Sequence, residues 1–389
     1  MDNLVLSYLT IGAIFLAGLL VDILGQYLRL PRVTLLLVVG FVAGPSILDL
    51  LPNLGDIWFE AVTEIALMMI GFLLGGHLTL STLRRHGRRV LMTSVAVVLA
   101  TATMVGLGTW LAGASLTLAL ILGAVATATA PAATEDVIRE ARAKGPFSET
   151  LLGIVAIDDA WGLILFSLVL AFVSTLSGGD PGHFLAHGLW EVGGALLLGI
   201  VLGIPMAYLT GRIHGGEPTL VEALGFVLLC GGIALYLEVS FILAAMTMGA
   251  VVVNLARHHG RPFHAIEGIE WPFKLLFFLL AGASLELNAL MAVGVIGLAY
   301  IIARIAGRVL GAALGTYGVD RDTISGRWMG LALLPQAGIA IGMALTASKS
   351  LPDIAEFLMP IVIGTTVLFE LTGPILTQLA LKRAGEIRH

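Results

Sequence analysis

The chain has 389 residues, 58% of them hydrophobic and only 12% charged, with a mean hydropathy of +0.99, far from the roughly 25% charged residues of a soluble globular chain. That composition excludes a soluble fold and reads as an all-α polytopic membrane protein; the formal net charge of -5 says little, because the placement of basic residues carries the information in such a protein. The single cysteine, Cys230, excludes an intramolecular disulfide and any multi-cysteine metal site, and no cofactor and no nucleic-acid partner is expected.

With roughly 20 apolar residues needed per span, the chain divides into about thirteen helices, over 4–25, 33–51, 58–79, 90–112, 116–141, 149–175, 186–212, 219–235, 237–256, 268–286, 289–317, 326–348 and 355–382. The first apolar run, Leu4 to Leu24, is too long for a signal h-region and lacks a basic flank, so it is expected to remain as a spanning helix. An N-terminus outside places 17 of the 21 Lys and Arg residues in the cytoplasm or at its interface; Lys349 falls outside, and Lys274, Arg304 and Arg308 lie within spans. This one-sided bias predicts an N-out, C-in topology in a bacterial-type inner membrane. The basic stretches 80–89 and 257–268 suit interfacial segments lying on anionic lipid headgroups. The tail after Leu381 is too short for a fused nucleotide-binding regulatory module.

The fifth span carries Ala126-Thr127-Ala128-Thr129-Ala130-Pro131 at mid-membrane depth, and the twelfth carries Leu334-Pro335-Gln336-Ala337-Gly338. Each proline removes a backbone donor and frees a carbonyl. Freed backbone groups inside a bilayer are tolerated only where protein or a wet cavity satisfies them, and interrupted helices in corresponding positions of two halves point to a transporter's site. If 1–175 and 219–382 are repeats and 186–212 is a linker helix, the interruptions correspond, and their odd offset inverts the second repeat.

Between them the sixth span holds Asp158 and Asp159 near the bilayer midplane, and an intramembrane acid marks a functional site by default. Consecutive helical positions differ by about 100° in azimuth, so the two carboxylates need different partners. The eleventh span reads Ala303-Arg304-Ile305-Ala306-Gly307-Arg308-Val309-Leu310-Gly311; Arg304 and Arg308 share a face, and Gly307 and Gly311 allow a neighbouring helix to approach closely. An arginine at this depth keeps its proton and must be paired. Matched depth makes Arg308 the expected partner of Asp158, with Arg304 the alternative. Glu64 or Glu370 is expected to neutralise Arg304. Lys274, near the start of the tenth span, is expected to snorkel.

These motifs resemble the sodium/proton antiporters of the monovalent cation:proton antiporter superfamily over nearly the whole chain. The match rests on Ile157-Asp158-Asp159, the Thr/Pro stretch around Thr129, and Gly307-Arg308-Val309-Leu310-Gly311; Gly40-Phe41-Val42-Ala43-Gly44-Pro45 and Gly71-Phe72-Leu73-Leu74-Gly75 add weaker support. The resemblance implies thirteen helices in two inverted repeats with crossed, discontinuous helices 5 and 12, a transport domain around helices 5, 6, 11 and 12, a dimerisation domain and a homodimer. It also implies that Asp159 is the ion-carrying carboxylate, with Na+ or another monovalent cation and H+ as substrates, and that Asp158 meets the basic residue of the eleventh span. Where many relatives carry a charge at the helix 12 crossing, this chain has neutral Gln336.

From the residues alone, Asp159, Thr129, freed carbonyls and Asp158 offer the oxygen ligands that a hard monovalent cation requires. A potassium/proton exchanger would differ only in site size. A channel would need a carbonyl filter, which this sequence lacks, and a non-transporting membrane sensor would leave both aspartates dispensable for flux. Neither HExxH nor GxSxG occurs near a suitable partner, which argues against an intramembrane hydrolase.

Overall fold

The computed structural model describes residues 3–28, 30–45, 47–48, 56–176, 181–210, 219–256, 260–283, 294–320, 323–336 and 338–387. Among these residues the regular elements are all helices. They are α1 (Asn3–Leu28), α2 (Arg32–Ala43), α3 (Asp56–His77), α4 (Leu80–Leu111), α5 (Leu116–Val125), α6 (Pro131–Glu140), α7 (Pro146–Leu176) and α8 (Pro181–Thr210). There follow α9 (Thr219–Tyr236), α10 (Phe241–Leu255), α11 (Gly260–Glu267), α12 (Glu270–Ala283), α13 (Gly294–Asp320), α14 (Thr323–Ala332), α15 (Gly338–Ser350) and α16 (Pro352–Arg383). Six of these helices contain stretches long and apolar enough to cross a membrane: Gly87–Leu111, Pro146–Val173, Ala186–Leu209, Thr219–Tyr236, Gly294–Tyr317 and Pro352–Arg383.

The expected fifth span is two helices. α5 starts on a Ser115 cap that accepts from the Leu118 amide and ends at Ala126, and α6 restarts with Pro131 at its first position, where a missing N–H costs nothing. Two ten-residue helices of about 15 Å each match a hydrocarbon core of about 30 Å. The twelfth span divides the same way into α14 and α15. Elsewhere the boundaries differ from expectation. The second span is a helix only to Ala43, and the basic stretch 80–89 continues into α4 as one helix rather than lying apart from it. The expected residues 46, 49–51, 211–212, 257–259, 284–286, 289–293 and 337 lie outside the described residues.

The chain forms two compact units, one from residues 1–79 and 195–285 and the other from 80–194 and 286–389. In the first, α2 packs along α12 and α3 along α10 by close backbone approach: a Cβ at Gly40 would strike the Leu279 carbonyl, and one at Gly75 the Met246 carbonyl. α11 buries Phe263, which stacks on Phe72. In the second, α13 lies along α4. The stripe of Gly307, Gly311 and Gly315 faces α4 so closely that a Cβ would come within 2.6, 2.6 and 2.4 Å of the Cα atoms of Thr101, Val97 and Thr93. α7 packs against α4 to α6, α14 and α15, which include the helices on both sides of each interruption.

Candidate functional site

Asp158 and Asp159 occupy consecutive positions in the middle of α7, and their side chains diverge. Asp158 is fully buried; its Oδ1 accepts from the Ser94 hydroxyl on α4 at 2.7 Å, and its Oδ2 from Arg308 Nη1 on α13 at 2.8 Å. Asp159, 8% exposed, turns instead to the segment between α5 and α6, where the Thr129 hydroxyl lies 3.4 Å from its Oδ1, at the long limit of a hydrogen bond.

The interruption leaves the carbonyls of Ala126, Thr127 and Ala128 without intrahelical partners, and two buried arginines receive them. Arg308 Nη2 donates to all three. Arg304 donates through Nε to Ala126 O at 3.1 Å and through Nη2 to Ala128 O at 2.9 Å, while its Nη1 reaches Leu334 O of the second interruption at 2.7 Å. The two interruptions therefore meet on one guanidinium. Its face lies over the Phe369 ring of α16 at 4.3 Å. Pro335 packs on Gly373, where a Cβ would come within 2.7 Å of the Pro335 Cα, and buried Gln336 donates to the Tyr300 hydroxyl at 3.0 Å.

This corrects the expectation that Glu64 or Glu370 neutralises Arg304, because every nitrogen of that guanidinium donates to a carbonyl. Glu370 is 7% exposed and has no hydrogen bond or ion pair among the described residues; Glu64 lies on α3, in the first unit. Lys274 does not snorkel. It is 1% exposed and pairs with Glu270, one turn earlier on α12, at 3.1 Å.

Four further polar residues are not singled out by the sequence pattern. Ser94, an unremarkable serine in an apolar run, completes the Asp158 shell. Glu135 and Asp136 of α6 are both buried; their place just after Pro131 could have flagged them. Glu386, past the positive-φ turn at Gly385, accepts from the amides of Phe147 at 2.7 Å and Ser148 at 2.8 Å. It thereby caps the helix that carries both aspartates from 238 residues away, a distance at which no local capping pattern exists.

Two helices interrupted within apolar spans, their freed carbonyls gathered by buried arginines beside an intramembrane double aspartate, define a secondary transporter. The chain belongs to the sodium/hydrogen exchanger family, whose transmembrane region matches residues 11–382. It is thus a cation/proton antiporter and an integral, multi-pass membrane protein. A subunit of an ammonium/H+ antiporter, AmhT of Alkalihalophilus pseudofirmus, is 23% identical over 345 residues, covering 86% of this chain and 82% of the relative. An uncharacterised Na+/H+ exchanger of Mycobacterium tuberculosis is 26% identical over 54% of this chain and 38% of its own length. Among solved structures, the sodium proton antiporter MjNhaP1 of Methanocaldococcus jannaschii at pH 8 superposes with a TM-score of 0.72 at 21% identity, covering 98% of this chain and 96% of that one. An electron-microscopy map of the same antiporter gives 0.78 at 22% identity with full coverage of both chains. At such identities the likeness is one of fold.

Proposed function

We propose that this antiporter exchanges Na+ for H+, one for one, with Asp159 as the carboxylate that holds either ion. The observation that carries this reading is the unequal environment of the two aspartates: both oxygens of Asp158 accept hydrogen bonds, from Ser94 and Arg308, whereas among the described residues Asp159 is hydrogen-bonded to Thr129 alone. A carboxylate already paired with a guanidinium has its charge offset and attracts a cation less than its neighbour, which has no such pair. Thr129 supplies a hard oxygen next to it, and exclusive occupancy by proton or cation couples the opposing fluxes when access alternates.

In this reading the unit that contains the site serves as the transport domain, and the other is the scaffold of a homodimer. The two interruptions belong to inverted repeats, and the protein sits in a bacterial-type inner membrane with its N-terminus outside, the topology that the placement of its basic residues favours. Ammonium is a second reading, favoured by the relative named for it; it would donate hydrogen bonds to the same oxygens.

Flux in proteoliposomes under an imposed pH gradient, with sodium, lithium, potassium and ammonium added separately, tests this reading. Sodium should dissipate the gradient at the lowest concentration, and Asp159→Asn should abolish the response while the protein remains folded. Retained cation-dependent proton flux in that variant removes Asp159 from the carrier role.

A further inference from the structure

We propose that the half-open cavity lined by α7, α8 and α15 is a capture site for a hydrated monovalent cation, in which Glu191 and the hydroxyls of Ser167, Thr346 and Ser350 hold the ion before it passes to Asp159. The proposal rests on the carrier role given to Asp159 above.

The cavity measures about 530 Å³ and is lined by all four of these residues. At about 30 Å³ per water it has room for on the order of fifteen waters, ample for a cation with its hydration shell. Its lining also includes Leu163 and Met343. Leu163 is one helical turn beyond Asp159. Met343 borders Gly162, where a Cβ would sit 3.5 Å from the Met343 methyl carbon and 3.1 Å from the Thr127 hydroxyl oxygen of the interrupted segment. The cavity lining thus comes next to the interrupted segment at Gly162.

The wall chemistry suits a hard cation. Glu191 is the one acid among the lining residues. It lies five residues inside the apolar stretch Ala186–Leu209, half-buried, with no hydrogen-bonded partner among the described residues. A carboxylate in such a segment needs a counter-charge or water. His187, one turn earlier on α8, is the other titratable lining residue; it forms no hydrogen bond to Glu191 but interacts with it electrostatically when protonated. The Thr346 hydroxyl donates to Gly342 O at 3.0 Å and the Ser350 hydroxyl to Thr346 O at 3.0 Å. Their protons are committed to their own helix, and the oxygen lone pairs remain for a ligand. Gly188 brings α8 against Ser167, since a Cβ there would lie 2.4 Å from the Ser167 Cβ. Carboxylate and hydroxyl oxygens with room for water match a monovalent cation better than an anion or an apolar ligand.

The test measures sodium-dependent proton flux by the full chain in proteoliposomes. Glu191→Gln should raise the apparent KM for Na+ about tenfold, the size of one lost charge contact, with a smaller change in maximal rate, and Glu191→Asp should restore most of the affinity. In a Cys230→Ser background, Thr346→Cys should react with a water-soluble thiol reagent, and Na+ should slow that reaction. An unaltered KM in Glu191→Gln, or labelling indifferent to Na+, overturns the capture site. A loss of maximal rate at unchanged KM also overturns it, because that result describes a structural role. Asp159→Asn in parallel separates the two proposals: retained exchange there overturns the carrier reading, whereas no exchange there with a normal KM in Glu191→Gln overturns the capture site alone.

Discussion

Arg308→Ala is the substitution whose cost can be worked most directly from the geometry. The pair it breaks is fully buried on both sides, and Asp158 would keep only the Ser94 hydroxyl. Removing one partner of a buried pair costs about 3–5 kcal/mol, because the other charge is left uncompensated. Of the three carbonyls that Arg308 receives, those of Ala126 and Ala128 retain Arg304, so only that of Thr127 is orphaned, adding about 1 kcal/mol. The sum, about 4–6 kcal/mol, should lower the melting temperature in detergent by on the order of 10 °C, scaling from single soluble domains. Tryptophan fluorescence reads this directly. A double-mutant cycle isolates the pair: Arg308→Ala with Asp158→Asn should be more stable than Arg308→Ala alone, since the amide leaves no buried charge. An undiminished melting temperature in Arg308→Ala, or strict additivity in the cycle, refutes the reasoning.

Other outcomes follow from the same geometry. If the Thr129 hydroxyl ligates the ion, Thr129→Val should weaken apparent cation affinity more than Thr129→Ser does, and equal affinities would reduce the residue to packing. If Asp158 stays locked to Arg308, one proton exchanges for one cation, and flux in liposomes should be indifferent to a valinomycin-set potential; a rate that follows the potential shows that the pair opens. Glu386→Ala removes two charge-assisted caps from α7 and should cost about 1–2 kcal/mol, seen as a lowered melting temperature that Glu386→Asp partly restores; an unchanged value shows that the cap contributes nothing.

Much of the fold could be read from local signals, and much of the site from depth. Pro131 and Pro335 announce the interruptions because proline removes a backbone donor wherever it sits. Matched depth along two spans brings Asp158 to Arg308. Gly307 and Gly311 announce a close helix without naming it, and the structure supplies α4. What escaped was whatever depends on azimuth or on distant chain. Ser94 could not be distinguished from any other serine until α4 was set against α7. Glu386 caps a helix that begins 240 positions earlier, and Lys274 is buried because Glu270, one turn away, accompanies it into the interior. Snorkelling is the fate of a lone lysine; a paired one has less reason to reach for the interface.

Arg304 is balanced without an acid, for a reason that bears on the mechanism. Interrupting two helices creates two C-termini inside the apolar layer, at Val125 and Ala332, and each carries roughly half a negative charge on its unsatisfied carbonyls. Together they amount to about one charge, and Arg304 contacts carbonyls at both. The arginine is therefore balanced by backbone, and no carboxylate is required. The same interruption leaves the positive N-terminal end of α6 two residues beyond Thr129, on the side to which Asp159 turns. With Arg308 balanced by Asp158 and Arg304 by the carbonyl ends, Asp159 in its charged form has no arginine of its own. If Asp159 is the carrier proposed above, a single proton or a single monovalent cation supplies the missing charge, and both loaded states carry the same net charge.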